Sequence, residues 1–295
     1  MQRLLITGAD GQLGRSLTVQ AQGRFALRAL ARSHLDITDA AGAEAAIRAF
    51  SPTCVINAAA YTAVDKAESD PEAAYAVNRD GARNLAAACE RSGVRLIHVS
   101  TDFIFDGNSN TPYPPQAPAA PLGVYGTSKW EGEQAVRQTA NGATIVRTSW
   151  VYGPGGRNFV RTMLRLLQPG TELSVVADQF GSPTHSSSLA RLLLHLVTHR
   201  QGEGQTLHWA NAGAATWYDV AQMVRLLACR RWPEYRWGTV RPTDTAGYPT
   251  PAQRPRFSVL DTRDAVRLTG IEPESWLQVL ERALMQDDAT LWLPD

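Results

Sequence analysis

The sequence predicts an α/β protein built on a doubly wound parallel sheet, and three observations carry that reading. Short apolar runs alternate with helical patterns as far as Thr148. A glycine-rich turn of spacing G-x-x-G-x-x-G, Gly8 to Gly14, separates the first run from the first helical pattern. The ends of successive runs, at Gly8–Gly14, Ala60–Thr62, Ser100–Asp102 and Ser149–Trp150, are rich in small and polar residues. Open sheets of this Rossmann type bind ligands outside the carboxyl ends of their strands.

Arg3–Thr7 reads as a buried strand cut off by Gly8. The turn that follows leads into a helix with Leu13, Leu17 and Ala21 on one face. Glycines here let the backbone approach a pyrophosphate at a helix N-terminus, so a dinucleotide site is expected. Phe25–Leu30 is the second strand. No acidic residue stands at its end to take a ribose 2′-hydroxyl. Arg28 and Arg32 flank it instead, and an arginine can hold a 2′-phosphate, which leans toward NADPH with NADH still possible. Asp36 and Ile37 lie where a loop could cover the adenine, and Thr38 or Asp39 can cap a helix over Ala40–Phe50. Thr53–Asn57 is a third strand, Asn78–Ser92 a helix, and Arg95–Ser100 a fourth strand in which His98 is read as a packed side chain. Five prolines between Pro112 and Pro121 make 108–122 a loop. Ala143–Thr148 is the fifth strand.

Beyond about residue 155 the order changes. Helices are expected over Asn158–Leu167, Ser188–His199, Thr262–Thr269 and Ser275–Met285, and a short strand over Leu173–Val176. Residues 238–258 read as loop. Trp209, Trp217, Trp232 and Trp237 are expected to fill a small core of their own, and His195 and His199 read as helix surface. The division is therefore a dinucleotide-binding unit over 1–155 and a smaller, mainly substrate-binding α/β region over 156–295, with the chain free to cross back.

Tyr125 and Lys129 stand four residues apart at the start of a helical run, so they share one face. Free tyrosine titrates near pH 10, and a nearby ammonium favours the phenolate. A downward shift of about 2–3 units corresponds to roughly 3–4 kcal/mol. The expectation is a tyrosine made more acidic by Lys129 and suited to general acid–base work. The composition fits a folded protein, with 44% hydrophobic and 19% charged residues. A net charge of +1 excludes a broad basic surface for nucleic acid. No apolar run is long enough to cross a bilayer, and residues 1–7 lack a signal-peptide pattern. Cys54, Cys89 and Cys229 are scattered, without CxxC spacing, so a reducing, cytoplasmic setting with no metal site is expected.

Taken together, the stretches Thr7–Gly14, Asn57–Lys66 (NAAAYTAVDK), Ser100–Phe105 (STDFIF), Tyr125–Lys129 (YGTSK), Arg147–Gly153 (RTSWVYG), Asp178–Thr184 (DQFGSPT) and Tyr248–Asp261 resemble the dTDP-4-dehydrorhamnose reductases, members of the extended short-chain dehydrogenase/reductases. The resemblance spans nearly the whole chain. It implies NADPH- or NADH-dependent reduction of the C4 ketone of a dTDP-4-keto-6-deoxy sugar, giving dTDP-L-rhamnose. It further implies that Gly11, Gln12 and Leu13 meet the pyrophosphate, that Asp36 and Ile37 meet the adenine side, and that Ala60, Tyr61, Thr62 and Val99 line the cofactor channel. Tyr125 would donate the proton, Lys129 would hold the nicotinamide ribose, and Thr101 would bond the reacting oxygen. Thr101, Asp102 and Trp150 would hold the sugar. Related dehydratases place an Asp-Glu pair after the threonine; here Asp102-Phe103 follows Thr101, which suits ketone reduction better than elimination. Phe103 stands where the family often has tyrosine. Some relatives dimerise through magnesium near the first helix, but Arg15-Ser16 do not support that metal here. A homodimer is an open expectation. Two other readings stand beside the reductase: an epimerase or reductase of another nucleotide sugar, and a non-catalytic subunit resembling the methionine adenosyltransferase β subunit.

Overall fold

The computed structural model describes residues 1–293. Strands β1 (Arg3–Thr7), β2 (Ala26–Leu30), β3 (Cys54–Asn57), β4 (Arg95–Thr101) and β5 (Thr144–Thr148) are followed by β6 (Val151–Tyr152), β7 (Leu173–Val176), β8 (Phe180–Gly181) and β9 (Thr184–His185). Three more, β10 (Thr206–His208), β11 (Ala215–Thr216) and β12 (Val240–Thr243), complete the set. The helices are α1 (Gln12–Ala21), α2 (Ala40–Phe50), α3 (Val64–Ser69), α4 (Pro71–Tyr75), α5 (Ala82–Arg91), α6 (Val124–Thr139), α7 (Phe159–Leu167), α8 (Ser186–His199), α9 (Trp217–Arg231), α10 (Arg263–Thr269) and α11 (Trp276–Gln286).

The main sheet has six parallel strands in the order β10-β5-β4-β3-β1-β2. The order reverses between β1 and β3, which opens a crevice at their carboxyl ends. Strands buried on both faces read as apolar runs, and β1, β3 and β5 do so because helices cover both sides. On one face Leu4, Ile6, Ile56 and Ile97 pack against Leu17 and Ala21 of α1 and the leucines of α8. On the other, Leu5, Val55 and Leu96 pack against Ile47 of α2, Leu85 and Cys89 of α5, and Val136 of α6. A second core gathers Val160, Leu164 and Leu167 of α7, Val224 and Leu227 of α9, and Leu280 and Leu284 of α11 around Trp237 and Trp292.

Several elements differ from the sequence expectations. β10 joins the main sheet beside β5, so the later half of the chain returns to close that edge. Trp209 follows it into the main core, whereas Trp217, Trp232 and Trp237 belong to the second core. Residues 238–258 are not all loop: β12 pairs in parallel with β7. Pro242 is tolerated because a two-stranded sheet leaves each strand an open edge. α9 has no counterpart in the reading, although Thr216 and Asp219 form a capping box at its start. The helix expected from Asn78 begins earlier, as α4, and passes through a π-helical segment, Ala76–Gly81, before α5.

Candidate active site

The glycine turn shows why three glycines are needed. Gly8 has φ +67°, and a Cβ there would meet the backbone of Ala58 and Ala59 at 2.7–2.8 Å. A Cβ on Gly14 would stand 2.1 Å from the Gly8 carbonyl oxygen. Gly11 caps α1 without a side-chain bond, and no acidic residue occupies the first turn. The amides of that turn and the positive end of the helix dipole are left for an anion. Gly8, Gly11, Arg32, Asp36, Ile37, Ala60, Tyr61 and Thr62 line one cleft of about 380 Å³. The Tyr61 hydroxyl, buried, has no protein partner. These residues fit a dinucleotide: an uncapped helix start and a crowded glycine turn border one groove.

Other expected cofactor residues sit differently. The Leu13 side chain packs on the main core, so only its backbone can face the groove. The Gln12 side chain accepts from Asn158 Nδ2 at 2.9 Å and donates to the Arg157 carbonyl, tying the turn to the 153–158 loop. Arg28 is a correction: it lies exposed in mid-strand on β2, outside the residues lining the cleft. Arg32 pairs with Asp36 at 3.1 Å while its side chain is 81% exposed. Such a pair is worth about 0–1 kcal/mol and gives way readily to a phosphate. Asp36 also accepts from the amide and hydroxyl of Thr38, which holds its carboxyl below the usual range, and Asp39 caps α2.

Tyr125 and Lys129 open α6 and are both buried, at 9% and 2% exposure. Lys129 Nζ donates to the Val99 carbonyl at 2.8 Å, so Val99 anchors the ammonium through its backbone. The sequence spacing predicts a tyrosine made more acidic by Lys129, and the structure reverses this for the free protein. Burial pushes Tyr125 up to about 12, against the Thr101 hydrogen bond and with the Asp102 charge. Burial also draws Lys129 down to about 8, with Glu133 opposing. Desolvation outweighs the cation because the ammonium is turned to Val99. Tyr125 is therefore a protonated phenol at neutral pH, a donor that yields its proton only to a stronger base.

Asp102 is buried at 1% exposure. It accepts from Thr101 Oγ1 at 3.0 Å and Ser258 Oγ at 2.6 Å, and burial raises its carboxyl to about 6. Both oxygens are thus committed to protein partners, so Asp102 orients Thr101 and clamps the 257–261 segment. Trp150 has φ +45° and stacks on Trp217 at 3.5 Å between ring centroids. A Cβ on Gly181 would meet its indole at 2.4 Å, so only glycine fits beneath it. Trp217 lines a second cleft of about 410 Å³ with Phe159, Thr162, Met163, Tyr248 and Arg254. Arg254 grips Asp65 through bonds of 2.7 and 2.8 Å, closing the C-terminal segment over α3. Tyr125 is not among the residues lining either cleft; it borders a small cavity of its own. Tyr61 of the first cleft and Phe103 pack in one cluster with it, and Ala252 and Pro255 line the same small cavity.

Three residues here have places at the site that the sequence reading missed. Asn78, fully inside, bonds both backbone groups of Tyr61 and the Ser128 hydroxyl, which in turn donates to the Tyr125 carbonyl. It holds Tyr61 of the first cleft and the start of α6 in one frame. Its signal was an asparagine amid apolar helical positions. The reading of Trp217 as a core side chain and the silence on Arg254 both stop short of the site, because their partners are 67 and 189 positions away.

A glycine turn at the sheet's switch point, with a buried Tyr/Lys pair one helical turn apart beside it, defines an extended short-chain dehydrogenase/reductase. The description RmlD substrate binding domain matches residues 1–288, and the chain belongs to this family. It is 46% identical over 291 residues to the dTDP-4-dehydrorhamnose reductase of Mycobacterium tuberculosis, covering 96% of this chain and 92% of that one. It is 42% identical to the dTDP-4-keto-6-deoxy-D-glucose reductase of Streptomyces niveus, covering 95% and 96%. Among solved structures, the dTDP-4-dehydrorhamnose reductase of Bacillus anthracis in complex with NADP superposes with a TM-score of 0.90 at 36% identity, covering 97% of this chain and all of that one.

Proposed function

We propose that this chain is an NADPH-dependent reductase of the C4 ketone of dTDP-4-dehydro-L-rhamnose, yielding dTDP-L-rhamnose. The observation that carries the reading is the buried Tyr125/Lys129 pair at the start of α6, with Tyr125 packed in one cluster with Tyr61 of the first cleft. One cleft fits a dinucleotide and the other is large enough for a nucleotide sugar. Bound NADPH supplies the hydride. Gly11, Gln12 and Leu13 present backbone amides to its pyrophosphate, Gly8 and Gly14 permit the turn, and Arg32 takes the 2′-phosphate. Asp36 and Ile37 border the adenine; Ala60, Tyr61, Thr62 and Val99 form the channel wall. Lys129 holds the nicotinamide ribose.

Thr101, its hydroxyl turning from Asp102 when substrate binds, steadies the reacting oxygen, and Tyr125 gives it a proton. A phenol with a pKa of about 12 matches that task, since an alkoxide is the stronger base. Asp102 fixes Thr101, and Trp150 bounds the sugar. NADH binds more weakly on this reading, because Arg32 gains nothing from a free hydroxyl. The cysteines are all free, which suits a cytoplasmic setting, and no helix among the described residues is long and apolar enough to cross a membrane. Homodimer formation is tested by sedimentation of the purified chain.

A second reading keeps the chemistry and changes the sugar. It is favoured by Phe103, whose ring meets Tyr125 edge-on at 5.5 Å and offers no hydroxyl, and by the 42% identity to the Streptomyces niveus protein. Turnover of freshly epimerised dTDP-4-keto-L-rhamnose and of dTDP-4-keto-6-deoxy-D-glucose, each with NADPH and NADH, separates the two. One NADPH lost per rhamnosyl product supports the proposal. Interconversion of sugars without net loss of NADPH would make the protein an epimerase.

A further inference from the structure

Of the 29 basic side chains only Lys66 and Lys129 are lysines. Lys66 is 68% exposed, whereas Lys129 is buried with a single neutral partner, the Val99 carbonyl. A dipole alone does not offset the loss of water around an ammonium. One turn further along α6 lies Glu133, at 0% exposure. Arg147 of β5 holds it, Nε bonding Oε1 and Oε2 at 2.9 and 3.2 Å and Nη2 bonding Oε2 at 2.8 Å. The remaining nitrogen of Arg147 donates to the Pro115 carbonyl at 2.9 Å and meets His208 Nε2 at 3.3 Å. His208 Nδ1 lies 2.9 Å from the Tyr113 carbonyl. The carboxylate is thus fixed by the strand below it and by the proline loop that leads into α6.

We propose that Glu133 is a positioning residue of the reduction: locked in place by Arg147, it sustains the positive charge of Lys129 inside the protein. The inference rests on the reading of Lys129 as the group that holds the nicotinamide ribose. Other charges around α6 do not substitute for it. His98 of β4 is kept neutral by burial and by Lys129 itself. In the π-helical segment Arg79 and Asp80 pair with each other, with Glu131 and with Arg83 of α5. Glu68 of α3 is taken by the Val124 amide, and Asp102 by Thr101 and Ser258. α4 offers Tyr75 and the exposed Glu72. Glu133 is the charge that opposes the drop of Lys129 to about 8. Its distance along the helix is fixed at one turn, where side chains share a face.

With two lysines in the chain, selective ¹³C-lysine labelling gives two NMR titrations, one of an exposed and one of a buried group. The wild-type Lys129 midpoint is expected near 8, and Glu133→Gln lowers it by about one unit or more. Glu133→Asp, which keeps the charge, restores most of the midpoint. The double variant Glu133→Gln/Arg147→Gln removes the buried pair as a unit, which spares the fold an unpaired arginine. It also titrates below the wild type. The alkaline limb of kcat/KM for NADPH-dependent turnover moves with the NMR midpoint. A Lys129 midpoint in the folded single or double variant that coincides with the wild type's overturns the inference, as does a Glu133→Asp midpoint as low as that of Glu133→Gln. If the midpoints shift as expected while the wild type consumes no NADPH with a 4-keto sugar, the coupling stands and the reductase reading fails.

Discussion

At the scale of single residues, the site runs on desolvation. Tyr125 is too weak an acid to ionise alone and Lys129 is only just charged, so both poise on burial. Removing the phenol with Tyr125→Phe is expected to lower kcat roughly 100-fold or more while NADPH affinity, read by fluorescence titration, stays near wild type. Lys129 is charged below its pKa, which burial lowers from 10.5 to about 8. The ammonium is therefore lost as the pH rises through about 8, and kcat/KM should decline across that value in a pH–rate profile. Asp102 has the opposite sign of cost. Its carboxyl is raised from 3.8 to about 6, so the folded state binds more protons than the unfolded state between those values. Wild-type stability falls as the pH climbs through that window. Asp102→Asn removes the dependence, and urea melts should show its advantage over wild type growing by roughly 3 kcal/mol between about pH 4 and pH 7.

Elements act through close approach. α1 sits against β1 at a distance that only glycine at position 14 permits. Gly14→Ala forces a methyl group into the Gly8 carbonyl, and overpacking of this kind costs about 1–3 kcal/mol. Its larger expected effect is loss of NADPH binding, because the amides of the turn shift out of line; calorimetric titration checks this. Beneath Trp150, Gly181 plays the same part from β8. Gly181→Ala should displace the indole from Trp217, changing tryptophan fluorescence and raising KM for the nucleotide sugar, with the Kd for NADPH unchanged. A joint rise of both constants would show that the second cleft does not act separately. The π-helical turn at Ala76–Gly81 is also an element with a use: it brings Asn78 against Tyr61 and Ser128, and a Cβ on Gly132 would lie 2.0 Å from the Asn78 carbonyl.

For the molecule as a whole, the return of the chain matters most. β10 completes the sheet and α8 covers the face next to α1, so residues 1–155 lack both an edge and a lid for their core. A 1–155 fragment is expected to show no cooperative thermal transition and no NADPH binding, measured by calorimetry and circular dichroism. The same return carries Ser258 to Asp102 and Arg254 to Asp65, tying the 254–258 segment to the ends of β4 and α3.

Local pattern alone determined the parallel sheet, the glycine turn, helix α6 with its Tyr125/Lys129 pair, and the convergence of Gly8–Gly14, Ala60–Thr62 and Thr101 at strand ends. These follow from strand and helix periods and from the backbone freedom of glycine, which act over a few residues. Tertiary structure decided the rest. It set the direction of the Tyr125 shift, because burial depends on Ala67, Ala74, Tyr61 and Phe103 gathering around the ring. It committed Asp102 to Ser258, assigned Trp209 to the first core and Trp217 to the second cleft, and laid β10 against β5. Desolvation and contact between residues 60 to 190 positions apart leave no mark on sequence spacing, since each is a property of which surfaces meet.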